Sequence, residues 1–432
     1  MQKTKLSELG TFARGISKHR PRNASELYEG GGYPLVQTGD ITNAQFHIES
    51  HSQEYNKMGI AQSKIWPKGT LAITIAANIA ETGLLSYPMA FPDSVVGFNA
   101  YEGKSTNEFV HYLLSFFRKN IKSNVKSTGS IQDNINLQFL NNLELEIPDF
   151  PAQVAIAEVL SSIDNKIELN RKTNAELEEI SRTIYNYWFI GFNFPDKEGR
   201  PYRANGGAMT YSHDLNLDIP SCWKVKKLVE LIKTEKSGDW GKEFREGNYT
   251  EKVNIIRGAD LNSLIDGSEI KAPKRYILPK NLNKMLLPND MIVEISGGSP
   301  TQSTGRIAYI THDVLKRFDV PIVPSNFTKA ISLNSDELFE FFYLTWKNYY
   351  DSGAFFRFEG KTSGIKNLLF SQAVNGIKIP VPDSKTLTTF TNQVRPLYIQ
   401  IQQNNQESTE LMQLRDWLLP LLMNGQVVVN DL

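Results

Sequence analysis

The stretch IDNKIELNRKTNAELEEI, residues 163–180, decides the fold class, because it combines helical periodicity with asparagines at seam positions. Steps of four and three residues along it select mostly apolar side chains, which is the pattern of a coiled-coil helix. Asn170 and Asn174 interrupt the seam near its middle. We expect amides there to specify the register and orientation of two paired helices, at some cost in stability. A solvated position at the edge of the seam, with no role, is the alternative.

The seam recurs later in the chain as a second helix. The segment TGSIQDNINLQFLNNLELEIP (128–148) aligns without gaps with TSGIKNLLFSQAVNGIKIPVP (362–382), at an offset of 365 minus 131, or 234. The same offset relates Asn170 to Asn404, so the sequence contains an internal repeat. Pro396 departs from an ideal helix and should start or kink the second one. The predicted helix–helix seam consists of Ile156, Leu160, Ile163, Ile167, Asn170, Asn174 and Leu177 in the first helix and Phe390, Val394, Leu397, Ile401, Asn404 and Leu411 in the second.

Each repeat consists of a globular domain followed by a long helix. Short β-rich runs such as TLAITIAAN and DMIVEIS are punctuated by Gly, Pro and Asn, whereas NEFVHYLLSFFRKNI and DELFEFFYLTWKNYY are typical of amphipathic helices. We predict an α/β fold of mixed α+β type, with two globular domains joined and separated by two long antiparallel coiled-coil helices and related by a pseudo-twofold internal repeat. The predicted boundaries are 1–150 for the first domain, 151–192 for the central helix, 193–383 for a linker plus the second domain, and 384–432 for the C-terminal helix.

Length and composition indicate a globular protein of more than one domain. The chain has 432 residues, of which 40% are apolar and 22% charged, and no run reaches the length of a membrane span or signal peptide. The single Cys222 allows no internal disulfide, and the six histidines form no pair at metal-ligand spacing, so we expect no metal site. The formal net charge is zero, which does not indicate nucleic-acid binding but permits a local basic face. We interpret the chain as cytoplasmic.

Three motifs connect the repeat to a known family. The stretches LEIPDFPAQVAIAEVLSSIDNKIELN, TIYNYWF and LRDWLLPLLMNG, with two variable domains each followed by a repeated helix, closely resemble the specificity subunit of type I restriction-modification systems. The resemblance covers essentially the whole chain. It implies that the globular domains are target recognition domains, each of which reads one half of a split asymmetric DNA site. It also implies that the helices set the spacing between the halves and dock two modification subunits, which carry the methyl-transfer chemistry and are joined by restriction subunits.

Basic and amide-rich side chains in the predicted loops are candidates for contact with double-stranded DNA. Lys and Arg would bind phosphates with salt-dependent affinity, and Gln, Asn and Arg could pair with the edges of adenine or guanine. Solvated surface is the alternative for each of them. The candidates are Ser17, Lys18, Arg20, Arg22, Arg118, Lys119, Lys122, Lys126, Ser130 and Gln132 in the first domain and Lys236, Trp240, Lys242, Gln302, Arg306, Arg357 and Lys361 in the second.

Two further features have competing interpretations. The segments VQTGD and IRGAD recur at equivalent places, and we favour a tight turn over a DNA contact as the reason for their glycine and aspartate. The aromatic-rich ends TIYNYWFIGF and DWLLPLLM, around Trp188 and Trp417, are predicted docking surfaces for the partner subunits. Packing of these tryptophans against the recognition domains is an equal alternative.

The sequence does not match the phosphate-loop motif or the adenine methyltransferase motif. Gly360, Lys361 and Thr362 resemble the end of a phosphate loop, but Phe355 stands where the first glycine is required. The Asn-Pro-Pro-aromatic motif of adenine methyltransferases is absent from the sequence. We therefore predict a non-catalytic subunit that binds no cofactor, whose partners use S-adenosylmethionine, ATP and magnesium. The alternative is a coiled-coil adaptor that presents two protein-binding domains and has no role for DNA.

Overall fold

The computed structural model describes residues 1–76, 79–127, 137–268, 270–298, 301–362 and 365–429, with the backbone alone at 122–127 and 361–362. Contacts divide the chain into two units. Unit 1 comprises Met1–Leu169 with Glu410–Leu432, and unit 2 comprises Asn170–Thr409. Both units contain helices and sheets, which confirms the predicted mixed α/β class. Within the described ranges, no helix is both long enough and apolar enough to cross a bilayer.

Unit 1 consists of short strands and helices followed by the first long helix. Its strands are β1 (Gln2–Lys5), β2 (Gly10–Arg14), β3 (Tyr33–Leu35), β4 (His47–Ile48), β5 (Gln53–Tyr55), β6 (Ile65–Trp66), β7 (Leu71–Thr74), β8 (Thr82–Leu85), β9 (Met89–Ala90), β10 (Val95–Ala100) and β11 (Glu144–Ile147). Its helices are α1 (Leu6–Leu9), α2 (Thr38–Asn43), α3 (Lys57–Ala61), α4 (Asn107–Ser127), α5 (Leu137–Asn142) and the first part of α6 (Phe150–Tyr185).

Unit 2 continues from α6, which ends in a π-helical turn at Asn186–Ile190. Its strands are β12 (Met209–Ser212), β13 (Leu217–Pro220), β14 (Lys224–Lys227), β15 (Ile232–Ser237), β16 (Glu251–Ile256), β17 (Lys274–Ile277), β18 (Met291–Glu294), β19 (Ser296–Gly297), β20 (Ile307–Tyr309), β21 (Ile322–Pro324), β22 (Thr328–Leu333), β23 (Glu359–Thr362), β24 (Ile365–Leu368) and β25 (Lys378–Val381). Its helices are α7 (Leu261–Asp266), α8 (His312–Lys316), α9 (Phe339–Asp351), α10 (Phe370–Gly376) and most of α11 (Ser384–Met423).

The two units share one sheet topology, which confirms the internal repeat. The main sheet of unit 1 has the strand order β2-β10-β7-β8-β4, and that of unit 2 has the matching order β15-β22-β18-β20. A second sheet in each unit has a central strand, β3 or β16, with an antiparallel neighbour on one side and a parallel neighbour on the other. Each unit also pairs an early strand with its last strand, β1 with β11 and β14 with β25.

The two long helices begin at equivalent positions, since Phe150 and Ser384 differ by the repeat offset of 234. Helix α6 has 36 residues and α11 has 40, and α11 passes through both Pro396 and Pro420. The prediction that Pro396 would start or kink the second helix is therefore wrong about the start. The turns before it are held in the helix because Phe390 and Val394 are buried in the core of unit 2.

Helix segments pair antiparallel within each unit, as the seam pattern predicts. In unit 1, Leu160 shares a buried cluster with Leu422, and a bond joins Asp164 to Arg415. In unit 2, Asn170 bonds to Asn404, and the ring of Trp188 lies 5.7 Å from that of Phe390. In both units the residue number therefore rises along α6 while it falls along α11.

Candidate nucleic-acid interface

Three arginines converge on Asp93 at the end of strand β2 in unit 1. The Nε of Arg14 donates to the carbonyl of Asp93, and the guanidinium of Arg22 donates to its carboxylate. Arg20 lies 3.7 Å from the same carboxylate, and the neighbouring Lys18 is exposed. We call Asp93, the three arginines and Lys18 the Asp93 cluster. With one carboxylate for four cations, it carries excess positive charge and is suited to phosphate.

A glycine at the end of the strand starts this loop in both units. At Gly15, an added Cβ would lie 2.2 Å from the carbonyl oxygen of Pro92, and at Gly238 it would lie 1.8 Å from that of Ser325. Only glycine fits at such distances, since a side chain would displace backbone. Both loops therefore leave the main sheet at the same point of the shared topology. Ser17 is buried in the first of them, where its carbonyl accepts a bond from Arg20.

The equivalent loop of unit 2 has different chemistry. The guanidinium of Arg275 lies 4.9 Å from the ring centroid of Trp240, which is half-buried. Further along, Phe244 is 74% exposed and has the exposed Lys242 and Arg245 as near neighbours in sequence. Exposed phenylalanine can contact the methyl group of thymine, while flanking cations bind phosphate.

Two of the predicted DNA-binding cations neutralise buried carboxylates instead of facing solvent. Lys236 Nζ lies 2.7 Å from the carboxylate of Asp290, and Arg306 binds Glu294 through two bonds of 3.0 and 2.6 Å. Both carboxylates are buried, and donation to Glu294 raises the pKa of Arg306. Removing either cation would leave a buried charge without compensation. The structure thus gives both a structural task, and their contact with DNA stays a prediction.

The remaining predicted residues are distributed over several loops. Arg118 pairs with Glu81 at 2.8 Å, and Gln302 donates to the hydroxyl of Tyr350 at 3.0 Å. Arg357 and Lys119 are exposed. Their roles also stay predictions. The residues that fall outside the described parts are Ser130 and Gln132 entirely, and Lys122, Lys126 and Lys361 in their side chains.

The predicted helix positions differ in their exposure. Trp188 is buried in the core of unit 2, so packing accounts for it, whereas Trp417 is 62% exposed. The buried members of the predicted seam are Ile156, Leu160, Ile163, Ile167, Asn170, Asn174, Phe390, Val394, Ile401 and Asn404, and the half-buried ones are Leu177, Leu397 and Leu411.

The VQTGD and IRGAD segments form turns, as favoured from the sequence. The carboxylate of Asp40 accepts the backbone N–H of Gln37 at 2.7 Å, and that of Asp260 accepts the backbone N–H of Arg257 at 2.9 Å. These aspartates cap the turns that follow β3 and β16 and are occupied by that task.

Sequence reasoning did not single out Arg14, Asp93, Phe244 or Arg275. The position of Arg14, just before the basic stretch GISKHRPRN, was an available signal. Asp93 lies 71 residues from Arg22, and no local pattern connects such distant residues.

Comparison with known proteins places this architecture. Residues 1–179 match the family model described as Type I restriction modification DNA specificity domain. The MjaIX specificity subunit of Methanocaldococcus jannaschii is 26% identical over 99% of this chain and 94% of its own length. The HindI specificity subunit of Haemophilus influenzae is 22% identical over 94% of this chain and 97% of its own.

The fold has a counterpart among solved structures. The type I restriction-modification S subunit from M. genitalium is similar with a TM-score of 0.57 and 17% identity, over 100% of this chain and 96% of that one. This likeness concerns the fold, and it extends over both units. The matched domain and the two relatives show that this chain is similar, over nearly its whole length, to specificity subunits of type I restriction-modification systems.

Proposed function

We propose that each unit reads one half of a split, asymmetric DNA site. One observation carries this proposal. In each unit a loop that begins with glycine follows the equivalent strand of the main sheet, β2 or β15, and the two loops have different side chains. One architecture used twice suits two half-sites. Different loops suit half-sites of different sequence, because base edges are read by side chains.

Phosphates would be bound mainly by exposed cations. In unit 1 these are the Asp93 cluster, where Arg20 and Arg22 share a carboxylate but remain more than half exposed. In unit 2 they are Lys242 and Arg245 around Phe244. Such contacts fix the position of the protein on the duplex and make its affinity depend on salt.

The long helices provide a repeated surface for two copies of one partner. Ile180 on α6 and Leu414 on α11 are 47% and 42% exposed, and their positions differ by the repeat offset. One turn further, Thr183 and Trp417 also occupy equivalent positions and are exposed. We propose that each face docks one modification subunit and that restriction subunits join this assembly on DNA in the cytoplasm. The partners would use S-adenosylmethionine, ATP and magnesium, and this chain would bind none of them.

The test is single-molecule sequencing of methylated adenines in cells that carry the modification partner, with and without this chain. We expect a new split motif with a fixed gap, which disappears on deletion. The double variant Phe244→Ala with Arg245→Ala should relax one half of the motif and leave the other unchanged. An unchanged methylome, with chain and partner shown to co-purify, would favour the adaptor that presents protein-binding domains.

A further inference from the structure

A buried carboxylate in unit 1 joins three helices. Asp164 of α6 accepts a bond of 2.7 Å from Arg415 of α11 and a bond of 2.6 Å from the hydroxyl of Tyr112 on α4. Its side chain is 1% exposed, and Arg415 is largely buried as well. Since α4 belongs to the globular part of the unit, this carboxylate ties the recognition domain to both long helices. We call Tyr112, Asp164 and Arg415 the unit 1 clamp.

A second attachment lies one helical turn away. Glu168 of α6 accepts the backbone N–H of His47 at 2.7 Å and lies 2.8 Å from the imidazole Nδ1 of the same residue. His47 begins strand β4 of the main sheet. Residues four apart lie on the same face of a helix, so Asp164 and Glu168 hold neighbouring parts of the domain. Two attachments spaced along the axis restrain sliding of the domain along α6 and rotation about it.

The residues at the equivalent positions of unit 2 carry no charge. The repeat offset of 234 relates Asp164 to Tyr398, Glu168 to Gln402 and Arg415 to Ser181. There, the ring of Tyr398 lies 5.7 Å from that of Tyr343, edge to face. Gln402 donates to the hydroxyl of Tyr309 at 3.1 Å.

This contrast separates stability from orientation. A buried ion pair often stabilises a protein no more than apolar packing of similar volume does. Unit 2 has an ion pair between domain and helix at a different place, where Arg395 of α11 lies 2.6 Å from the buried carboxylate of Glu340 on α9. The repeated architecture therefore does not require charges at the positions of Asp164, Glu168 and Arg415. These charged residues instead fix the orientation of the domain on its helices, because charge-assisted hydrogen bonds are short and depend strongly on geometry.

We propose that Arg415, Asp164 and Glu168 are positioning residues that fix the first recognition domain on its helices and so restrict the gap between the two half-sites to one length. This inference rests on the proposed function. A gap changed by one base pair moves a half-site by roughly 3.4 Å and turns it by roughly 35° about the duplex. A domain free to slide and rotate on α6 could follow that change, and a clamped one could not.

The experiment measures methylation of a library of sites whose gap varies by one or two base pairs, in cells with the modification partner. For Arg415→Leu, we expect the preference for the native gap over its neighbours to fall about tenfold, the factor that one lost charge-assisted bond supplies. Both half-site sequences should stay the same. A residue that served only stability would lower methylation at every gap alike.

Three variants complete the design. Asp164→Asn combined with Arg415→Gln keeps hydrogen-bonding groups without charge and should restore most of the preference. Glu168→Gln copies the residue of unit 2 and should weaken the preference in the same direction, including when Arg415→Leu fails to accumulate. Gln413→Leu, at an exposed position of the same helix, is the matched control and should have no effect.

The outcomes separate the two claims. If folded Arg415→Leu and Glu168→Gln proteins both keep the single native gap, the positioning role is wrong while the proposed function stands. If the wild-type chain produces no split motif at all, the proposed function is wrong and the positioning role falls with it.

Discussion

Asn170 and Asn404 lie 234 residues apart, occupy the same position of the two repeats, and are hydrogen-bonded across the paired helices of unit 2. Asn170 Nδ2 donates to the main-chain carbonyl of Asn404 at 3.3 Å, and Asn404 Nδ2 donates to the side-chain oxygen of Asn174 at 2.8 Å. Both residues are buried, so they are not solvated at the edge of the seam. A shift of one helix along the other would separate these amides, which therefore favour one register.

We expect Asn404→Ala to lower the free energy of unfolding by about 1–3 kcal/mol, because it leaves the buried oxygen of Asn174 without its donor. Chemical denaturation followed by circular dichroism measures this change. Gln403→Ala, at the adjacent exposed position, is the control and should change stability little. Equal effects of the two substitutions would argue against a structural role for the amide.

The buried His111 should make unit 1 sensitive to acid. The pKa of His111 is lowered to about 3, mainly by burial and in addition by the nearby charges of Arg118 and Arg415. An unfolded histidine titrates near its ordinary pKa of about 6.5. Between these values the unfolded chain binds a proton that the folded chain excludes. This contribution is therefore complete above pH 6.5 and is lost as the pH falls, by about 1.4 kcal/mol per pH unit.

The measurement is the free energy of unfolding at pH 7 and pH 5 for the wild type and for His111→Gln. We expect the wild type to lose about 2 kcal/mol more than the variant over this interval. Asp164, whose pKa is raised by burial, contributes with the opposite sign, but it is present in both proteins and cancels in the comparison. His312→Gln, at an exposed position, should keep the wild-type slope. The same slope in His111→Gln would contradict this assignment.

The Asp93 cluster predicts opposite effects for two substitutions. Asp93→Asn removes its carboxylate, so DNA should bind more tightly at low salt and the salt dependence should become steeper. Arg22→Gln removes one cation and should reduce the salt slope by about one. Dissociation constants measured over a series of sodium chloride concentrations give both slopes. Arg200→Gln, an exposed arginine paired with Glu198 in unit 2, is the control. If neither Asp93→Asn nor Arg22→Gln altered the salt slope, the DNA would not bind at the Asp93 cluster.

The helix faces predict the number of modification subunits that bind. Trp417→Asp places a charge on one proposed docking face, and Ile180→Asp does so on the other. Because charge is costly in an interface that excludes water, each should reduce binding from two subunits to one, and the double variant should bind none. Native mass spectrometry of the mixed proteins counts them. Phe244→Asp, an exposed aromatic in a loop, should still bind two, and so would Trp417→Asp if its face were not a docking site.

The repeated parts of the fold were readable from the sequence because they are local. The run DMIVEIS contains strand β18, and DELFEFFYLTWKNYY contains helix α9 except its last residue, Asp351. The offset of 234, found from matching apolar positions, relates β11 to β25 residue by residue. Periodicity carries this information because an apolar face must be buried whichever neighbour covers it.

Pairing between distant residues was not readable. From the sequence, Arg306 and Lys236 look like exposed cations of Gly-rich and basic loops. In the structure, Arg306 pairs with the buried carboxylate of Glu294, and Lys236 pairs with that of Asp290. Likewise, a charged Arg415 at a seam position is unfavourable until Asp164 is placed beside it. The sign of such a contact depends on which partner arrives from another part of the chain, and spacing in the sequence does not encode it.

Unit 1 is assembled from two stretches of chain separated by the whole of unit 2. During synthesis from the N-terminus, all residues of unit 2 are therefore complete before the last residues of unit 1 are made. Asp164 leaves the ribosome 251 residues ahead of its cation, Arg415, and stays unpaired during that time. We expect the unit that is encoded later to fold earlier, a reversal of the usual N-terminal-first order. If translation stopped near residue 409, the protein would have a complete unit 2 and a unit 1 that lacks the end of α11.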